Sequence, residues 1–178
     1  GAGLVSGSLD TVYFLPTTFA AITGAGSAST QAALQFNLSI NPGYTFAGIM
    51  FAENGDYFLS NGGSASASAS LQALDPNTLA TGNLVLGTGA LGQVGGTTLW
   101  DLAGLLSPLG LGASQALQVT LDNAVTSSPT EGIGFIQKTY VGFTILTQAE
   151  NTVPEPSGLA LMLGGMLAAV LAGRRRRG

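Results

Sequence analysis

Carboxylates are the main chemical resource of this chain. Asp10, Glu53, Asp56, Asp75, Asp101, Asp122, Glu131, Glu150 and Glu155 are matched by one lysine, Lys138, and by four arginines at 174–177. There is no histidine and no cysteine. That removes the commonest general base, the imidazole and thiolate metal ligands, and any disulfide. Two carboxylates could still hydrolyse a glycosidic bond without help from histidine. Most of the acids, however, occupy turn-like or capping contexts, where carboxylates stay solvated and are not tuned as acid and base. The expectation is a non-enzymatic protein, with a secreted carbohydrate-active enzyme as the lesser alternative. Calcium draws oxygen ligands from loops, so Asn54/Asp56 and Asp75/Asn77 are weak candidate fragments for it. The twelve-residue calcium loop is missing, and Asp75-Pro76-Asn77 is also an ordinary turn. No cofactor is expected. Gly87 to Gly92 spells G-x-G-x-x-G, but Gly95-Gly96 breaks the helix that dinucleotide binding requires. Tyr44, Tyr57, Trp100 or Tyr140 could stack on sugars, although packing is the preferred reading for all four.

These side chains need a scaffold, and its signal has a period of two. Leu34, Phe36, Leu38 and Ile40 alternate with polar residues until Asn41-Pro42-Gly43 ends the run. Asn54-Gly55 lies between two apolar runs and predicts a hairpin of 45–53 with 56–60. Ser64 to Ala73 alternates alanine and leucine with serine and glutamine, which predicts an edge strand of small side chains. With little charge, such an edge is poorly defended against pairing with another copy; a loop could equally cover it. Asp75-Pro76-Asn77 closes it, 84–86 form a short strand, and the glycine-rich 87–96 reads as a loop. Asp101 can cap a short helix over 102–106, stopped by Pro108 and Gly110, with Trp100 as its anchor. Leu117, Val119 and Leu121 form another half-buried strand, and Asp122-Asn123 with 126–132 supply the turn. The runs 133–138 and 140–147 complete the sheet with Val141, Phe143 and Ile145 inward, and an early strand over 9–15 lies beside one of these. The predicted class is mainly β: an antiparallel, jelly-roll-like β-sandwich over 1–147 with one short helix.

Beyond it the pattern changes. Residues 148–156 form a polar, proline-containing stalk, and Ser157 to Gly173 are 17 uncharged residues. As a helix at ~1.5 Å per residue they reach roughly 25 Å, at the short end for spanning a bilayer. Arg174, Arg175, Arg176 and Arg177 belong on the cytoplasmic side by the positive-inside rule, with Gly178 beyond them. The body is thus expected outside the cytoplasm. Its opening Gly1-Ala2-Gly3 fits an export leader already removed. Residues 1–156 hold nine acids and one lysine, a net charge of −8, which excludes nucleic acid and anionic lipid as partners of the body's field.

Pro154-Glu155-Pro156, the apolar span and the arginine cluster together resemble the PEP-CTERM sorting signal of Gram-negative bacteria. The resemblance covers about the last 25 residues. It implies recognition of Pro154, Glu155 and Pro156 by the membrane protease exosortase, followed by release of the body to the cell surface or exopolysaccharide matrix. The expected location is therefore the inner membrane with the body on the periplasmic side, then the surface or matrix. The expected partners are membrane lipid, exosortase, exopolysaccharide and a second copy. Ala160, Gly164, Ala168 and Ala172 recur every fourth residue, a stripe that would allow close approach of another transmembrane helix. It keeps open a second role, as an accessory single-pass subunit of an inner-membrane complex.

Overall fold

Alternation of small or apolar residues with polar ones produces strands. The computed structural model describes residues 4–5, 10–92 and 96–150. The Pro-Glu-Pro motif, the apolar span with its small-residue stripe, the arginine cluster and most of the stalk lie outside them. The described residues form eight strands: β1 (Leu4–Val5), β2 (Thr11–Phe14), β3 (Ala20–Thr23), β4 (Ala28–Ser39), β5 (Tyr44–Leu74), β6 (Thr81–Gly87), β7 (Thr98–Leu106) and β8 (Ala116–Ala149). Among the described residues no helix is long and apolar enough to cross a membrane.

Two of these strands organise the rest. β5 runs for 31 residues and β8 for 34, and they are neighbours in the sheet. Side-chain contacts give their direction: Ser60 reaches Glu131, Asn54 meets Thr139, and Thr45 reaches Gln148, so one strand ascends as the other descends. Both strands double back. β5 turns at Gly62 and Gly63, both at positive φ, and β8 turns between Ser128 and Gly132. Gly63 is required twice over: its φ is 97°, and a Cβ there would lie 2.2 Å from the Ser128 carbonyl. The doubling lays the two halves of each strand face to face. Phe46, Ile49 and Phe51 from early β5 share one core with Ala69, Leu71 and Ala73 from late β5. Leu117, Val119 and Leu121 likewise meet Val141 and Phe143 from the far half of β8. A second core joins Ala21, Tyr57, Leu59, Ala65, Ala67, Trp100, Leu102, Val125 and Ile136. The front layer comprises β7, early β5, late β8, β2 and β3; the back layer comprises β6, late β5, early β8 and β4. This is a mainly antiparallel β architecture consistent with a sandwich.

Several expectations hold. Thr11–Phe14 lies beside β8 over Val141–Thr144, Val141 and Phe143 point inward, and 81–87 is a strand. Others are corrected. Asn54-Gly55 is not a turn but the middle of β5, paired with Asp101 and Trp100. Gly55 is glycine because a Cβ there would lie 1.9 Å from the Gln137 carbonyl, and close backbone approach is the other reason for glycine in a strand. The helix at 102–106 is instead β7. Trp100, Leu102 and Leu106 are buried, while Leu99, Asp101, Ala103 and Leu105 face out, a period of two that a helix cannot satisfy. Ser64–Ala73 alternates as expected but is no edge, since β6 flanks it on one side and β8 on the other. Asp122-Asn123 is no turn but lies within β8, paired with Ala33 and Ala32, whereas the 126–132 stretch does hold the reversal, inside β8.

Candidate functional site

The outward face of the front layer carries two stacked pairs of half-buried rings and several acids. On β8 the inward phase passes from Ile136 and Lys138 to Val141 and Phe143, so one extra residue is accommodated at 139–140, as in a β-bulge. Thr139 and Tyr140 are thereby both turned toward the outer side. Tyr140 stacks on Tyr13 of β2, with ring centroids 6.2 Å apart and planes at 22°. Beside them, Met50 and Leu105 are more than half exposed. Met50, Leu105 and Tyr140 border a shallow depression of about 360 Å³ floored by Ala52, Ala103 and Gly142. Further along the same strands, Phe58 stacks on Phe135 at 6.2 Å, next to exposed Ile22 and Leu99.

Between these apolar rows runs a polar strip. Asn54 sits opposite Asp101 in the β5–β7 register, Asp56 opposite Leu99, and the Thr139 hydroxyl lies 3.2 Å from the Asn54 side-chain oxygen. Alternation puts Asn54, Asp56 and Asp101 on one face. Apolar ring faces flanking amide, hydroxyl and carboxylate groups can stack on and hydrogen-bond a neutral, hydroxyl-rich ligand. Asp75 and Asn77 lie elsewhere. The Asp75 carboxylate accepts hydrogen bonds from the Asn77 and Thr78 backbone amides, at 2.8 and 3.3 Å, and from the buried Ser114 hydroxyl at 2.7 Å. The Ser114 hydrogen bond, then the amides, hold its carboxyl below 3.8. The two calcium fragments are therefore not brought together, and among the described residues no three acids converge on a metal position.

Glu53, which the hairpin predicted at Asn54-Gly55 would leave solvated at its tip, is 1% exposed. It pairs with Lys138, itself 2% exposed, at 2.5 Å. The Lys138 ammonium lies 5.2 Å from the Phe19 ring centroid and 5.8 Å from that of Trp100, whose indole N–H donates to the Gln137 carbonyl at 3.1 Å. Burial pushes the Glu53 carboxyl above 4.5, against the pull of Lys138 and Asn123. Burial likewise pushes Lys138 below 10.5, against the pull of Glu53. So enclosed, the pair cannot meet a solute, and its role is internal. The one available signal was the lone lysine, set between the strand-forming runs 133–136 and 140–145. Of the four aromatic candidates, Trp100 and Tyr57 are core residues, Tyr44 is exposed, and Tyr140 belongs to the outer platform.

No protein-family model matches the chain, and no curated protein does. Among solved structures it is similar to infectious bursal disease virus of the Gx strain, with a TM-score of 0.41 at 11% identity, covering 81% of this chain and 33% of that one. The Gt strain gives 0.37 at 11% identity, over 72% and 34%. TmCBM61 in complex with β-1,4-galactotriose gives 0.26 at 10% identity, over 75% and 88%. The chain thus spans about a third of the length of the two viral chains.

Proposed function

We propose that this is a non-enzymatic cell-envelope protein. A jelly-roll-like body is exported, held by the uncharged 157–173 segment, and passed by exosortase to the cell surface or exopolysaccharide matrix, where it serves as a structural component. One observation carries the reading: Pro154-Glu155-Pro156, an uncharged span and Arg174 to Arg177 follow one another in that order. A cleaved sorting signal needs a recognition motif, a membrane segment and a stop, in that sequence. The body's chemistry is compatible. The Glu53–Lys138 ion pair is sealed in the core, and the half-buried ring pairs and neighbouring polar groups face outward, suited to contact with polysaccharide.

The experiment is the intact mass of the protein from cells with and without exosortase, combined with fractionation. Loss of the segment after Pro156 in the first strain only, with the body in the surface or matrix fraction, supports the proposal. A full-length chain in the inner membrane of both strains refutes it. That outcome would favour the accessory-subunit role, for which the stripe of Ala160, Gly164, Ala168 and Ala172 is the specific observation.

A further inference from the structure

Sheets that end in open strands normally carry devices against unwanted pairing: charges, proline, bulges or a short final strand. β4 has few of them. It is 12 residues long, Ala28 to Ser39, without a charged residue, a proline or a glycine. One side is fully used by β8 in unbroken register, from Ala28 opposite Ser127 to Ser39 opposite Ala116. On the other side no strand pairs with it among the described residues. The other borders differ: β7 carries Asp101, β6 is 7 residues long with glycine near each end, and β2 has β1 beside it.

We propose that β4 is where two copies of this chain join, by antiparallel pairing of β4 with β4 across a two-fold axis, so that the two back layers become one continuous sheet. The occupant is a second copy because β4 is complementary to itself. Even-numbered residues of β4 lie on the inward phase: Thr30 reaches the Ala20 carbonyl of the front layer, and Leu34, Phe36 and Leu38 pack on the core. Partners in a sheet must match faces, so the paired residue numbers must sum to an even value. Centring on Leu34 sets Leu34 against Leu34, Leu38 against Thr30, and half-buried Phe36 against Ala32, which is exposed although it lies on the inward phase. The large ring of each copy thereby covers the small residue of the other. On the outer side Gln31 meets Asn37, Gln35 meets Ala33, and Ser29 meets Ser39. No charge is opposed to a like charge along the strand, in a body whose net charge of −8 otherwise resists self-contact.

The chain has no cysteine, so introduced thiols report unambiguously. Full-length Ala33→Cys/Gln35→Cys, mildly oxidised in native buffer, is expected to form a disulfide-linked dimer on a non-reducing gel. Val85→Cys, on the opposite border of the same layer and 75% exposed, is expected to remain monomeric. Gln31→Lys/Gln35→Lys is expected to weaken dimerisation about tenfold in sedimentation equilibrium, since it sets like charges near one another across the axis. Two results overturn the proposal: a cysteine pair that stays monomeric, or Val85→Cys cross-linking equally well. If the lysine variant does not fold, as judged by circular dichroism, the disulfide comparison decides alone. The outcome does not depend on whether the tail is cut.

Discussion

Lys138 and Glu53 show how much one pair of residues can hold. Two charges removed from water are strongly destabilising unless each finds the other, and the pair stands between two apolar clusters where water cannot substitute. Lys138→Met alone leaves the Glu53 carboxyl buried without its partner and is expected to lower stability by about 3–5 kcal/mol in urea titration. Glu53→Leu/Lys138→Met removes both charges and is expected to recover most of that loss; a double variant as unstable as the single one would refute this account. Asp75 gives a prediction in pH. Its folded-state carboxyl titrates below 3.8, so the stability it contributes is fully present above that value and is lost as pH falls through its lowered folded-state value. The gap in unfolding midpoint between the wild type and Asp75→Asn should therefore be constant at neutral pH and should narrow below 3.8. A gap that widens in acid would contradict the assignment. Composition hinted at the first of these residues and not at its partner: a solitary lysine was visible, whereas its pairing with Glu53 depends on a register between β5 and β8 that no local pattern encodes.

At the level of elements, alternation was readable and connectivity was not. The phases of 34–40, 64–73, 117–121 and 141–145 could be read from the chain, because burial on one face imposes a period of two whatever the neighbours are. The hairpin at Asn54-Gly55 could not be refuted from sequence, since a glycine needed for positive φ and one needed for backbone proximity look alike. Gly55→Ala separates these meanings. A turn glycine outside a helix or strand would lose little beyond local strain, whereas here the new Cβ meets the Gln137 carbonyl. The expected loss is roughly 3 kcal/mol in denaturant unfolding, the upper range for overpacking; a loss under about 0.5 kcal/mol would mean the strands are not this close. The helix predicted over 102–106 fails for a related reason. Five residues hold too few periods to separate helix from strand, and Asp101 and Pro108 supplied plausible helix signals that the pairing with β5 overrode.

For the whole molecule, the consequence lies in sequence distance. β4 is completed only when β8 arrives, with Ala28 facing Ser127, and the two halves of β5 are held together by strands that follow them in the chain. Such non-local pairing predicts slow refolding, on the order of milliseconds to seconds by stopped-flow fluorescence of Trp100. A microsecond phase that accounted for the full amplitude would be incompatible with this topology. The doubling of β5 and β8 also decides how the body answers a pull. Tension entering at Ala149 and opposed at the far bend runs along β8 and must slide it past its neighbours in shear, so many bonds share the load at once. Tension between Ala149 and β2 instead meets strands that run in opposite directions with their outer ends adjacent, Thr11 against Thr144, and peels them apart one pair at a time. The same body is stiff when gripped at its far tip and compliant when gripped beside its exit, which makes the point of attachment the determinant of its strength.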